Sequence, residues 1–350
     1  MIMPIPFYDP YISYDDNYQT GPFGLFAQPL DTPIKALTPS YFLNLKVNLP
    51  FGIPAGPLLN ANYIKAAFNY GYDLCVYKTV RTQYHKSHPL PNVLAVHPQG
   101  KLTNSLSTVL ADNDYRQPLS ITNSFGVPSF SPDVWQVDMA EAVASAAKGQ
   151  YVIGSFQGTQ GKGLIEKDYA LAARLVYETK APILEANLSC PNEGASRLLC
   201  FDIAQVERIV NEIKNTVPDR PLLLKLAYFD DNRKLIALLE RIGTLVDGFS
   251  AINTLSAKPI NHEQQPALGE KRVESGVCGE AIRWAGLDMV KRLAQLRQEM
   301  DLNYAIIGVG GVSTPEHYQH YRQAGADAVM SATGAMWHPD LALTIKQNLN

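Results

Sequence analysis

Residues 183–192 read Ile183-Leu184-Glu185-Ala186-Asn187-Leu188-Ser189-Cys190-Pro191-Asn192. An apolar run of strand length empties into a short loop that carries amides, a thiol and a proline. Such a loop suits a planar polar ligand held beside a nucleophile or base. It equally suits an ordinary strand-to-helix turn, because Asn, Ser and Pro are normal turn residues. The flanking segments repeat the pattern. From Phe51 onward short β-rich runs alternate with helical stretches, as in a parallel sheet with covering helices. Candidate strands begin near Phe51, Asp73, Tyr151, Ile183, Leu222, Gly248, Tyr304 and Asp327. Between them Ile165, Tyr169, Ala172 and Val176, and then Ile203, Val206, Val210 and Ile213, recur at helical spacing and mark two amphipathic helices. Eight such strands predict an α/β fold of the closed (β/α)8 type, a TIM barrel.

At 350 residues the chain is long for one domain, yet barrels of roughly 250 residues with insertions are common. With 46% hydrophobic and 18% charged residues it reads as globular, and no apolar run approaches the ~18 residues needed to span a bilayer. A net charge of −3 offers no broad attraction for nucleic acid. The four cysteines, Cys75, Cys190, Cys200 and Cys278, form no C-x-x-C pair, so no metal or cluster site is expected and reduced thiols fit a cytoplasmic location. The N-terminus lacks the basic and apolar regions of a secretory signal. His85 and His88 read as loop residues, and His317 and His320 as exposed positions on a helix.

Residues 1–50 hold eight of the 24 prolines and several tyrosines, which predicts an extended N-terminal arm covering the surface. The alternation Leu43-Asn44-Leu45-Lys46-Val47-Asn48-Leu49 predicts a half-buried strand in a hairpin that closes the barrel bottom. Residues 51–350 form the barrel. Two connections, 81–130 and 254–284, are too long for simple βα loops and are expected to serve as lids or interfaces.

A barrel builds its site at the carboxyl ends of its strands, so those ends carry the functional reading. They are polar here: Pro54-Ala55-Gly56-Pro57, Tyr77-Lys78-Thr79, Asn187, Lys225 and Asn253-Thr254, with Asn123-Ser124-Phe125-Gly126 in the first long connection. Lys78 and Lys225 lie inside apolar strands, where a lysine requires an anionic partner. Gly308-Val309-Gly310-Gly311 and Ser331-Ala332-Thr333-Gly334 follow the last two strands and free backbone N–H groups for a phosphate. Asn123, Asn187, Asn192 and Asn253 offer donors and acceptors suited to a ring with imide and urea-like edges, such as a pyrimidine.

Asn-Leu-Ser-Cys-Pro-Asn, Asn-Ser-Phe-Gly and Gly-x-Gly-Gly together resemble the dihydroorotate dehydrogenase family over roughly residues 51–335. Cysteine at position 190 resembles the soluble, Cys-base (class 1) type. The resemblance implies flavin-dependent oxidation of (S)-dihydroorotate to orotate in pyrimidine biosynthesis, with Cys190 as the base and hydride transfer to FMN. It implies that Lys78, Asn123, Asn187, Asn192, Asn253 and Thr254 hold the substrate. Ala55, Gly56, Lys78, Lys225, Gly279, Gly310, Gly311, Thr333 and Gly334 would line FMN. It further implies fumarate or another soluble electron acceptor, a homodimer, and no membrane or nucleic-acid partner. Against the family pattern, residues 99–118 read as an insertion. Two alternatives stand beside this reading: a related flavin barrel acting on another dihydropyrimidine, and a phosphate-ligand-binding barrel without redox activity.

Overall fold

The computed structural model describes residues 4–30, 33–103, 107–161, 163–189 and 198–349. Cys190 and Asn192 lie outside the described residues. The chain opens with a short helix, α1 (Tyr14–Thr20), followed by the hairpin β1 (Ser40–Phe42) and β2 (Leu45–Val47). Leu43 and Asn44, at φ 48° and 61°, form its tight turn, so they are not part of the strand their alternation suggested. Positive φ at both central residues matches the twist of a two-residue hairpin loop.

Then come β3 (Phe51–Ile53), α2 (Ala61–Asn69) and β4 (Leu74–Val80). The first long connection holds β5 (Val93–His97), β6 (Ser107–Asp112) and β7 (Ser120–Asn123) and ends in α3 (Pro132–Ala144). Regular alternation resumes with β8 (Tyr151–Phe156), α4 (Ile165–Glu178), β9 (Ile183–Asn187), α5 (Ile203–Thr216), β10 (Leu222–Leu226), α6 (Asn232–Ile242) and β11 (Gly248–Ala251). The second long connection supplies β12 (Leu255–Ile260) and β13 (Ser275–Gly279). The chain closes with α7 (Arg283–Glu299), β14 (Ala305–Val309), α8 (Pro315–Gln323), β15 (Ala328–Met330), α9 (Thr333–Trp337) and α10 (Leu341–Asn348).

Strands β3, β4, β8, β9, β10, β11, β14 and β15 pair in parallel and close into the eight-stranded barrel expected from the alternation. Its two faces follow the strand period of two. Leu74 and Val76 on β4, Ile153, Ile183, Leu223 and Ile307 pack inward, where Phe42 and Val47 of the hairpin plug the bottom. Cys75, Tyr77, Val152, Leu184 and Leu224 point outward into the helix layer. Gly154 on β8 permits close packing there, because a Cβ would stand 2.2 Å from Val176 of α4.

The two long connections are one structure. β5, β6, β7, β12 and β13 form a second closed barrel, in which β12 pairs in parallel with β6 across residues 107–110 and 257–260. The segment 99–118 contributes β6 to it.

Candidate active site

The chain direction brings the carboxyl ends of all eight barrel strands to one mouth, and the second barrel stands over it. Between them lies a cleft of about 1190 Å³, counted out to its open side. Ala55, Gly56, Lys78, Asn123, Asn187, Lys225, Asn253, Thr254, Gly279, Gly310, Gly311, Thr333 and Gly334 all line it. These are all the described residues that the sequence singled out for the site.

The amides are held in fixed orientations. Asn187 donates from Nδ2 to Gln157 Oε1 at 2.9 Å, and its Oδ1 accepts from the Ser189 backbone N–H at 3.3 Å. Asn253 donates from Nδ2 to the Ser189 carbonyl at 3.1 Å and to its hydroxyl at 3.2 Å. The β9 and β11 ends are thereby tied together. Asn123 Nδ2 and Thr333 Oγ1 approach the Cys278 sulfur at 3.5 and 3.4 Å, joining the second barrel to the end of β15. Thr254 Oγ1 is buried in the wall without a hydrogen-bond partner among the described residues. It lies against Gly276, where a Cβ would come within 2.3 Å of it.

Beneath the cleft a polar layer interrupts the apolar barrel interior. Thr79 and Ser155 hydroxyls meet at 2.9 Å, and Lys225 Nζ donates to Ser250 Oγ at 3.2 Å. Glu185 is fully buried in the same layer. Among the described residues neither of its carboxylate oxygens makes a hydrogen bond of ordinary geometry, and the groups that act on it are Lys225 and the Ser250 and Ser155 hydroxyls. Burial pushes the Glu185 carboxyl above the usual carboxylate range against that attraction. Burial likewise lowers Lys225, while Glu185 pulls it back up. Lys225 is thus held by the Ser250 hydroxyl, and the negative charge that favours its cationic form is that of Glu185 in the same layer.

Two further groups shape the mouth. Arg81, fully buried, donates from Nε to the Val127 carbonyl at 3.0 Å, from Nη2 to the Gly126 carbonyl at 3.3 Å and from Nη1 to Thr159 Oγ1 at 3.0 Å. It clamps the segment after Asn123 to the loop after β8. His88 packs on the same segment, its backbone N–H donating to the Phe125 carbonyl at 2.9 Å.

Several site residues escaped the sequence reading. Gln157 ends β8 in the position that marks the other sites, and inspecting that strand's end would have found it. Glu185 stands two residues before Asn187 and so shares its face. Tyr8 and Tyr14 also line the cleft, so the N-terminal arm goes further than covering surface. His317 is half-buried rather than exposed, its Nδ1 facing Ser313, because α8 packs back onto the end of β14.

The dihydroorotate dehydrogenase family model matches residues 113–350. The dihydroorotate dehydrogenase of Dictyostelium discoideum is 34% identical over 363 residues, spanning 98% of this chain and 97% of that protein. A protein of Pediococcus pentosaceus named for dihydroorotate dehydrogenase A (fumarate) is 30% identical over 200 residues, 57% of this chain and 62% of that one. Among solved structures, DHODH from Eimeria tenella in complex with ferulenol superposes with a TM-score of 0.70 at 17% identity, covering 87% of this chain and 81% of that one, and shares the barrel fold. With a family match over most of its length and a relative aligned end to end, a chain that carries this cleft at the mouth of its barrel belongs to the dihydroorotate dehydrogenase family.

Proposed function

We propose that the cleft holds FMN and (S)-dihydroorotate side by side and that the protein oxidises the latter to orotate with Cys190 as the base. The observation that carries this reading is the convergence of Asn123, Asn187 and Asn253 with a Thr254 hydroxyl that has no partner among the described residues, in a cleft also lined by the glycine-rich ends of β14 and β15. A buried hydroxyl without a partner calls for a ligand group to bond. The residues present suit FMN. Gly56, at φ 135°, has no atom within 4 Å of where a Cβ would stand, so it leaves open space for a ring system. The buried cations Lys78 and Lys225 suit a group that gains negative charge. Gly310, Gly311, Thr333 and Gly334 line the cleft, and their backbone N–H groups would hold the phosphate.

When bound, FMN supplies the acceptor for the hydride leaving C6 of dihydroorotate. The chain's own residues do the rest. Asn123, Asn187, Asn192, Asn253 and Thr254 orient the ring, with Asn187 and Asn253 already locked by Gln157 and Ser189. Lys78 would hold ring and cofactor, and Lys225 would offset negative charge gained by the cofactor. Cys190 removes the proton from C5. A thiol with a reference pKa of about 8.5 is only a few per cent thiolate at neutral pH, so the rate rises with pH unless the site lowers that value. Cys190→Ala is expected to leave a yellow, FMN-loaded protein whose flavin is reduced by dihydroorotate at least ~100-fold more slowly under anaerobic conditions. Unchanged reduction kinetics would remove Cys190 from the mechanism.

The acceptor that completes the cycle is fumarate or another soluble oxidant, in a cytoplasmic homodimer. The name of the Pediococcus relative supports fumarate, and no helix of the described residues is long and apolar enough to cross a membrane. Turnover with fumarate, quinone and oxygen, together with the mass in solution, tests both points.

A further inference from the structure

The arm reaches the cleft through a folded knot rather than by loose contact. Asn17, fully buried, accepts from the Asp9 backbone N–H at 2.8 Å and donates from Nδ2 to the carbonyls of Asp9, Ile12 and Ser13 at 2.9, 3.3 and 3.0 Å. Phe7 stacks on Phe26 at 4.5 Å, and its N–H donates to the Met336 carbonyl at 3.0 Å. Between these fixed points Tyr8 meets Phe125 edge-on at 5.7 Å, and Tyr14 meets the same ring at 6.2 Å. Phe125 belongs to the segment that begins with Asn123, so the arm braces the ring-holding loop beside the cleft.

Tyr8 is 2% exposed and lines the cleft, yet its hydroxyl is buried with no hydrogen-bond partner among the described residues. Leaving such a hydroxyl unpaired costs free energy that phenylalanine at the same place would avoid. Tyr8 belongs to the apolar core cluster and packs against Phe125 in the cleft wall. Burial, and then Tyr63, Tyr14, Asp9 and Asp15, push its ionisation far up, so it is a neutral phenol and a donor. Such apolar surroundings disfavour a charged acceptor and favour a neutral one.

We infer that Tyr8 is a ligand-binding residue, whose hydroxyl donates a hydrogen bond to a neutral carbonyl oxygen of the ring held by the Asn123 segment. This rests on the reading that the ring is dihydroorotate or orotate. The N-terminal arm is then part of the binding site, and substrate recognition draws on a residue more than a hundred positions from the ring-holding asparagines.

The test compares FMN-loaded wild type and Tyr8→Phe by orotate titration, read from the flavin absorbance, and by steady-state oxidation of dihydroorotate. Loss of one neutral hydrogen bond is expected to raise the orotate Kd and the dihydroorotate KM by about tenfold, with a smaller change in kcat. The thermal midpoint should not fall, since the hydroxyl has no partner among the described residues to lose. The ratio of the two Kd values should persist for the methyl ester of orotate, in which the ring carbonyls remain and the carboxylate charge is gone. Equal orotate affinity in the two proteins would overturn the inference, and a penalty confined to the free acid would overturn the carbonyl assignment. Failure of the wild type itself to bind orotate would instead count against the proposed function.

Discussion

A single hydroxyl separates ligand binding from folding at Thr254. Its Oγ1 atom is buried in the cleft wall without a partner among the described residues, so it contributes little to the stability of the protein alone. Thr254→Val, which keeps the shape and removes the hydroxyl, is expected to leave the thermal midpoint unchanged or higher and to raise KM for dihydroorotate about fivefold. A drop in midpoint without a change in KM would show that the hydroxyl serves the fold. At this scale much of the site was legible, because Lys78, Asn187, Lys225 and Thr254 stand where apolar runs end. Glu185 was written in the same run as Asn187, but its importance follows only from the position of Lys225 on the neighbouring strand. Tyr8 and Tyr14 carry no local signal, since a tyrosine among prolines reads alike whether it faces solvent or a cleft.

The elements are secured by a few buried contacts between distant segments. Lys346 on α10 meets Asp73, just before β4, at 2.8 Å, with both side chains almost fully buried. Asp73 also accepts from the Leu49 N–H at 3.0 Å, so one carboxylate ties the last helix, the barrel base and the chain entering β3. Burial pushes the Asp73 carboxyl up, while Lys346 and its hydrogen bonds pull it down. Lys346→Met leaves that carboxylate buried without its cation. The expected loss is about 3 kcal/mol of unfolding free energy, measured by urea denaturation at neutral pH. A loss below about 1 kcal/mol would show that α10 is held by its apolar face alone. The eight barrel strands and helices α4 and α5 were legible because their periodicity is local. The second barrel was not, since the pairing of β6 with β12 joins residues about 150 positions apart and leaves no periodic mark.

Across the whole molecule, the polar layer beneath the cleft couples stability to pH. The folded-state pKa of Glu185 is raised by burial. The fold therefore favours its protonated form, and that contribution is complete below the unfolded value of about 4.3 and is lost as pH rises through the folded value. Against a Lys225→Met background, in which the lysine no longer titrates, adding Glu185→Gln removes this slope, so the double variant is expected to gain on Lys225→Met by up to about 1.4 kcal/mol per pH unit within that window. Urea midpoints of the two proteins across the acid-to-neutral range check it, and parallel curves would refute the shift. The sequence by itself determined the parallel barrel and the strand-end residues around its mouth, because alternation of short apolar runs with amphipathic helices admits few topologies, and a parallel barrel collects its carboxyl ends on one face. Only the tertiary structure decided that two long connections interlock above that mouth, that Glu185 answers Lys225, and that Tyr8 of the arm enters the cleft. Each of these joins segments remote in the chain, and burial against a distant partner is a property of packing rather than of local residue pattern.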